Sequence, residues 1–110
     1  MSSRLPGAKY KRVFDKGRVV RGRLVTSWSL CDEAAQGQAG VVVSKKSFHD
    51  AVQRNRAKRL MREAFRLLAK EGAMPKGMDW ILVGRSTLAG RKCGDVMAEL
   101  RWAARKCARC

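Results

Sequence analysis

The stretch that decides the fold runs Gly40-Val-Val-Val-Ser-Lys-Lys46, then Gln53-Arg-Asn-Arg-Ala-Lys-Arg-Leu-Met-Arg-Glu-Ala-Phe-Arg66, then Asp79-Trp-Ile-Leu-Val-Gly-Arg85. It reads as strand, long helix, strand. Three consecutive valines suit a strand buried on both faces. Residues 47–50, Ser-Phe-His-Asp, match a capping box with Asp in the third position, so the helix begins somewhere from Ser47 to Ala51. It runs to about Lys70, where Gly72 and Pro75 end it. If the two strands are parallel neighbours, the helix is their crossover, and general rules make that crossover right-handed.

Outward from this unit the pattern continues. Pro6 and Gly7 precede Lys9 to Lys16, where Tyr10, Val13 and Phe14 fall at i, i+3 and i+4 before Gly17, a short helix and its stop. Leu24 to Leu30 alternates, with Leu24, Thr26, Trp28 and Leu30 on one strand face. Asp32 to Gly40 is turn-rich. Asp95 to Lys106 is a last helix with Val96, Leu100, Ala103 or Ala104, and Cys107 along its apolar stripe. The order is α-β-β-α-β-α, an α+β chain built as a small α/β sandwich. A single domain over residues 1–110 is expected, with 1–6 and 108–110 disordered.

Charge dominates the composition: 25 Lys+Arg against 9 Asp+Glu, a net +16 on 110 residues. Like charges repel in a compact protein, so an excess of this size calls for a polyanion. The chain is 45% hydrophobic, enough for a core, which argues against a disordered basic tail. The longest apolar runs, Val41 to Val43 and Trp80 to Val83, fall far short of the roughly 20 residues of a membrane span. The first residues contain no apolar segment of the signal-peptide type. A cytoplasmic chain with no membrane partner is expected, its four cysteines reduced. Cys107 and Cys110 have metal-ligand spacing, but the second pair of a zinc site is missing.

The cations are concentrated on the long helix. Taking Arg54 as zero on a helical wheel, Arg54, Lys58, Arg62, Arg66, Arg59, Lys70 and Arg56 fall between about 0° and 200°, with Asn55 near 100°. Leu60, Met61, Ala57, Ala64, Phe65, Leu67 and Leu68 occupy the arc from about 220° to about 20°. Glu63 is the sole acid between residues 51 and 70. The usual four-residue Glu-Lys pairing is therefore nearly absent, unlike an ordinary solvated amphipathic helix. Arg grips phosphate with a forked pair of donors, and Asn55 adds a donor and acceptor for a sugar hydroxyl or base edge. The same spacing also fits a DNA major groove.

The run from Gln53 to Arg66, preceded by Gly40 to Lys46, resembles the RNR signature of the protein subunit of bacterial ribonuclease P. The similarity extends through Tyr10-Lys-Arg-Val-Phe14, Gly17 and Asp79-Trp-Ile-Leu-Val83 to the final helix, most of residues 4 to 107. The resemblance implies a left-handed βαβ crossover, similar to the second domain of a small-subunit ribosomal protein and opposite to the general rule. It implies the accessory subunit of an endoribonuclease that removes the 5′ leader of precursor tRNA. The RNA subunit would be catalytic and hold the Mg²⁺ ions, with one protein per RNA.

Carried over by motif, the RNA contacts are Lys45, Lys46, Arg54, Asn55, Arg56, Lys58, Arg59, Arg62 and, extending the face, Arg66. A leader-binding cleft would hold Tyr10, Phe14 and Trp28. Trp28 departs from a smaller aromatic of the family. Stacking of unpaired bases on aromatics at about 1–3 kcal/mol each suits a leader of variable sequence, whereas a plain core stripe is the simpler account of Tyr10 and Phe14.

No protein catalytic or metal-binding residues are expected. The nine acids show no spacing of a two-metal nuclease, and His49 reads as a cap-region or RNA-proximal residue rather than a general base. Two alternatives stay open on composition: a structural ribosomal RNA-binding protein, and a DNA-binding module, the latter lacking a compact helix-turn-helix.

Overall fold

A computed structural model describes residues 4–31, 37–74 and 77–107. Helix α1 spans Gly7–Lys16, strands β1, β2 and β3 span Arg18–Arg21, Val25–Cys31 and Ala39–Val42, helix α2 spans Ala51–Lys70, β4 spans Met78–Gly84 and α3 spans Cys93–Cys107. A single 3-10 turn, Ser86–Leu88, links β4 to α3. The expected order is present, with β1 as an additional short strand. Its sequence, Arg-Val-Val-Arg, is too brief and too charged at its ends to stand out, and it is formed by antiparallel pairing with β2.

The four strands lie in the order β1-β2-β4-β3. β2 pairs antiparallel with β4, and β3 pairs parallel with it, Val41 opposite Leu82. Successive side chains alternate between faces and cross-strand partners share one. Trp28 therefore shares a face with Ile81, and Thr26 with Val83. Ser27 and Ser29 lie on the other face, beside Leu82 and Trp80.

That second face carries the main core. Val41, Trp80 and Leu82 meet Met61, Ala64, Phe65 and Leu68 of α2 and Val96, Leu100 and Ala104 of α3. The first face is covered by α1, where Leu5, Val13 and Ile81 form a smaller cluster. The result is three layers: α1, the sheet, and α2 with α3. The fully buried part of β2 is Val25, Ser27 and Ser29, whereas Thr26, Trp28 and Leu30 are half-buried. The apolar alternation in the sequence thus marks the less deeply buried face, because a single helix covers it and two cover the other. Leu24, expected to share that face, precedes β2 and belongs to the main core.

Helix boundaries follow local chemistry. Asp50 caps α2, its carboxylate accepting the Val52 N–H at 2.8 Å, an interaction worth about 1 kcal/mol. The expected capping box at Ser47 does not form, since Ser47 donates its N–H to the Ser44 hydroxyl in the preceding turn. At the other end Gly72 takes a left-handed φ of 78°, and the Ala73 N–H reaches back to the Leu68 carbonyl at 2.9 Å, a Schellman closure. Gly17 ends α1 for a different reason. Its φ is −77°, but a Cβ there would lie 2.4 Å from the Val13 carbonyl oxygen and 2.7 Å from that of Ser29.

Residues 4–6, expected to trail, lie against the sheet. Leu5 is buried, and its N–H donates to the Ala39 carbonyl at 2.9 Å. Residues 1–3 and 108–110 lie outside the described residues, as does the side chain of Cys107. Cys31 is disulfide-bonded, contrary to the expected reduced state, and Cys93 is free. Pairing depends on the proximity that the fold creates, which sequence spacing does not reveal.

Candidate nucleic-acid interface

The apolar arc of α2 docks on the sheet and the cations are left outward. Ala57, Met61, Ala64, Phe65 and Leu68 are buried, which fixes the helix's rotation. Asn55, Lys58, Arg59, Arg62 and Arg66 then line one groove of about 510 Å³. Arg4 lines the same groove, placed there by its bridge to Ala39. Nothing local to Arg4 signals this, because it rests on a pairing between residues 35 positions apart.

Other expected contacts are placed differently. Arg54 turns back on the loop before α2, its Nη1 donating to the carbonyls of Phe48 at 2.8 Å and His49 at 2.9 Å. Arg56 lines a smaller groove of about 60 Å³ with Gln53 and Arg91. Lys45 and Lys46 are exposed in the turn ahead of α2. Arg66 donates through Nε and Nη2 to the two oxygens of Glu63, at 3.1 and 2.5 Å. That hydrogen bond holds the Glu63 carboxyl below its usual range and raises the Arg66 guanidinium. Nearby, burial pushes the Cys93 thiol up, which makes it a poor nucleophile.

The three aromatics gather on the opposite face of the sheet. Tyr10, Phe14 and Trp28 are each half-buried and pack around Leu5, Val13 and Ile81. The Phe14 and Trp28 rings meet edge to face with centroids 5.1 Å apart and planes at 77°, a favoured aromatic geometry. Helix α1 is tethered here by Lys9, whose Nζ lies 3.6 Å from the buried Asp79 carboxylate and 3.2 Å from the Gln38 side-chain oxygen. Asp79 also accepts the Gln38 N–H. The aromatics thus pack against the smaller core while each residue stays only half-buried.

The sequence model of the family described as Ribonuclease P matches residues 5–108. The chain belongs to the ribonuclease P protein family. The ribonuclease P protein component of Pelotomaculum thermopropionicum is 36% identical over 87 residues, covering 79% of this chain and 75% of that one. The one from Coprothermobacter proteolyticus is 35% identical over 113 residues, covering 96% and 90%.

Among solved structures, the ribonuclease P protein of Staphylococcus aureus superposes with a TM-score of 0.75 at 25% identity, covering 99% of this chain and 97% of that one. The Thermotoga maritima ribonuclease P protein shares the fold with a TM-score of 0.78 at 24% identity, covering 94% and 96%. Membership makes this chain a ribonuclease P protein component, part of an endoribonuclease that works with RNA in tRNA processing. Among the described residues no helix is long and apolar enough to cross a membrane.

Proposed function

We propose that this chain is the accessory subunit of ribonuclease P that helps remove the 5′ leader from precursor tRNA, one protein joining one catalytic RNA in the cytoplasm. The observation that carries the reading is the separation of two surfaces by the sheet. Cations of α2 line a groove on one side, and the aromatics Tyr10, Phe14 and Trp28 cluster on the other. In this reading Asn55, Lys58, Arg59, Arg62 and Arg66 dock the catalytic RNA, with Lys45, Lys46, Arg54 and Arg56 flanking them. Phosphates would meet the arginines through forked hydrogen bonds. The unpaired leader would lie against the aromatics, where stacking tolerates any base.

Among the described residues no three His, Cys, Asp or Glu side chains gather into a metal-binding group. The Mg²⁺ ions that cleave the phosphodiester are assigned to the RNA subunit in this reading, and the protein's part is to bind and position. Reconstitution with the cognate RNA at low Mg²⁺ tests it: the protein should accelerate leader removal, and equal cleavage with and without it would refute the assignment. RNA recovered with the purified protein separates the alternative of a structural ribosomal protein. Ribosomal RNA would favour that alternative, and a single structured RNA of another kind the first reading.

A further inference from the structure

A third groove, of about 940 Å³, opens between the β1–β2 turn, the segment after β4 and helix α3, and none of its residues belongs to the two surfaces above. Its walls include Arg23, Arg85, Arg91 and Trp102. Trp102 is 40% exposed, and the Lys106 ammonium stands 5.7 Å from its ring centroid, within cation–π range.

The turn that carries Arg23 is held rigidly. The Glu99 carboxylate accepts the backbone N–H groups of Arg23 at 2.6 Å, Leu24 at 3.0 Å and Val25 at 2.7 Å. A Cβ at Gly22 would lie 2.5 Å from the carboxylate carbon, so a side chain there would have to displace Glu99 from the turn. From the other side Arg85 donates to the Gly22 carbonyl at 2.8 Å, and the Thr87 hydroxyl donates to the Arg23 carbonyl. The two acids of the groove are both committed to backbone amides, Glu99 to the turn and Asp95 to the Lys92 N–H. Among the described residues Arg23 and Arg91 have no carboxylate partner. Four arginines line the groove against these two acids, so positive charge is in excess beside a partly exposed indole.

A planar ring amid guanidinium groups suits a ligand that is both aromatic and polyanionic, which describes unpaired RNA. One residue links this groove to the foot of α2. Arg91 lines both it and the smaller groove that holds Gln53 and Arg56 of α2. An RNA bound along α2 can follow this basic track across Arg91 to Trp102.

We propose that this groove is a third RNA-binding site, taking an unpaired segment with one base on Trp102 and its flanking phosphates on Arg23 and Arg91. The proposal rests on the RNA-binding reading of α2. Its test uses the full-length protein carrying Phe14→Ala, which weakens the aromatic cleft, and a 12-nucleotide oligouridine containing 4-thiouridine. Photocrosslinking should label the peptide that contains Trp102. Trp102→Ala should lower crosslink yield at that peptide at least fivefold, and Trp102→Phe should restore most of it. Arg23→Glu with Arg91→Glu should reduce the slope of log affinity against log salt by about 1.4, two phosphate contacts on a single strand.

Crosslinks confined to α1, β2 and α2, with an unchanged slope in the double variant, would overturn the proposal and leave the α2 reading intact. No binding of the oligonucleotide or of structured RNA by the unsubstituted protein would overturn both. A Trp102-dependent fluorescence blue shift on phosphatidylglycerol vesicles, with no Trp102 crosslink to RNA, would overturn it in favour of a lipid surface.

Discussion

The Tyr10 ring occupies the space that a side chain at Gly40 would fill: a Cβ there would lie 2.2 Å from the phenolic oxygen and 2.4 Å from the ring carbon that bears it. The glycine in β3 thus sets how closely α1 and its aromatic face approach the sheet. Gly40→Ala should displace Tyr10 by swinging the free end of its side chain, at modest cost to stability. Affinity for precursor tRNA with a leader should drop several-fold while affinity for mature tRNA holds, measured by fluorescence anisotropy on the assembled ribonucleoprotein.

Phe14 and Trp28 are the stronger probes of the same surface. Phe14→Ala or Trp28→Ala should each weaken binding of leader-containing precursor by about 1–3 kcal/mol, the range of a lost stacking contact. Binding of mature tRNA should barely change. Equal losses on both RNAs would remove the leader from this face.

On α2 the expected effect is on assembly. Arg59→Glu or Arg62→Glu should impair association with the catalytic RNA, as seen in a gel-shift titration. For the unsubstituted protein, engagement of six to ten phosphates should lower affinity by roughly 10³ to 10⁵ between 50 and 200 mM salt. A flat salt response would mean that the +16 charge is not what binds.

Glu63 offers a pH signature with a definite sign. Its carboxyl titrates below the ordinary glutamate value because Arg66 hydrogen-bonds the charged form. The pair's contribution to folding is therefore present above the unfolded-state pKa and is lost as pH falls through the lowered one. An NMR titration of the Glu63 side chain should show this low midpoint, and Arg66→Ala should move it back up. Glu63→Gln should free Arg66 for phosphate and tighten RNA binding modestly.

Ser29 and Trp80 face each other across β2 and β4, and among the described residues neither the Ser29 hydroxyl nor the Trp80 indole N–H has a hydrogen-bond partner. Leaving a buried polar group unpaired costs about 1–3 kcal/mol. Ser29→Ala should therefore be neutral or stabilising by up to about 1 kcal/mol in urea denaturation. Trp80→Ala should cost about 3–5 kcal/mol.

Much of this was legible in the sequence where a pattern is local. The α2 wheel, with Glu63 as its only acid, identified which arginines face outward, and Gly72 marked where the helix stops. The alternation around Trp28 located β2 and put Thr26, Trp28 and Leu30 on one face, but wrongly added Leu24 to it. What depends on contacts between distant residues was not legible. Arg4 joins the α2 groove through Ala39, Arg54 is drawn back to the carbonyls of Phe48 and His49, and β1 exists because β2 offers an edge. Ser27 and Ser29 look solvent-facing by composition, but two helices cover them.

The strand order has a consequence for how the protein is made. β4 is the last strand to be synthesised, yet it lies between β2 and β3. While residues 1–77 emerge from the ribosome, β2 and β3 have no shared neighbour, and the apolar side of α2 has only an incomplete sheet to cover. Sheet closure waits for residues 78–84, and the non-local contacts that reward it come late. Until then the basic helix is exported as an unpacked amphipathic segment, in the immediate vicinity of ribosomal RNA. Nascent-chain stalling at successive lengths should show protease resistance appearing only once β4 has cleared the exit tunnel.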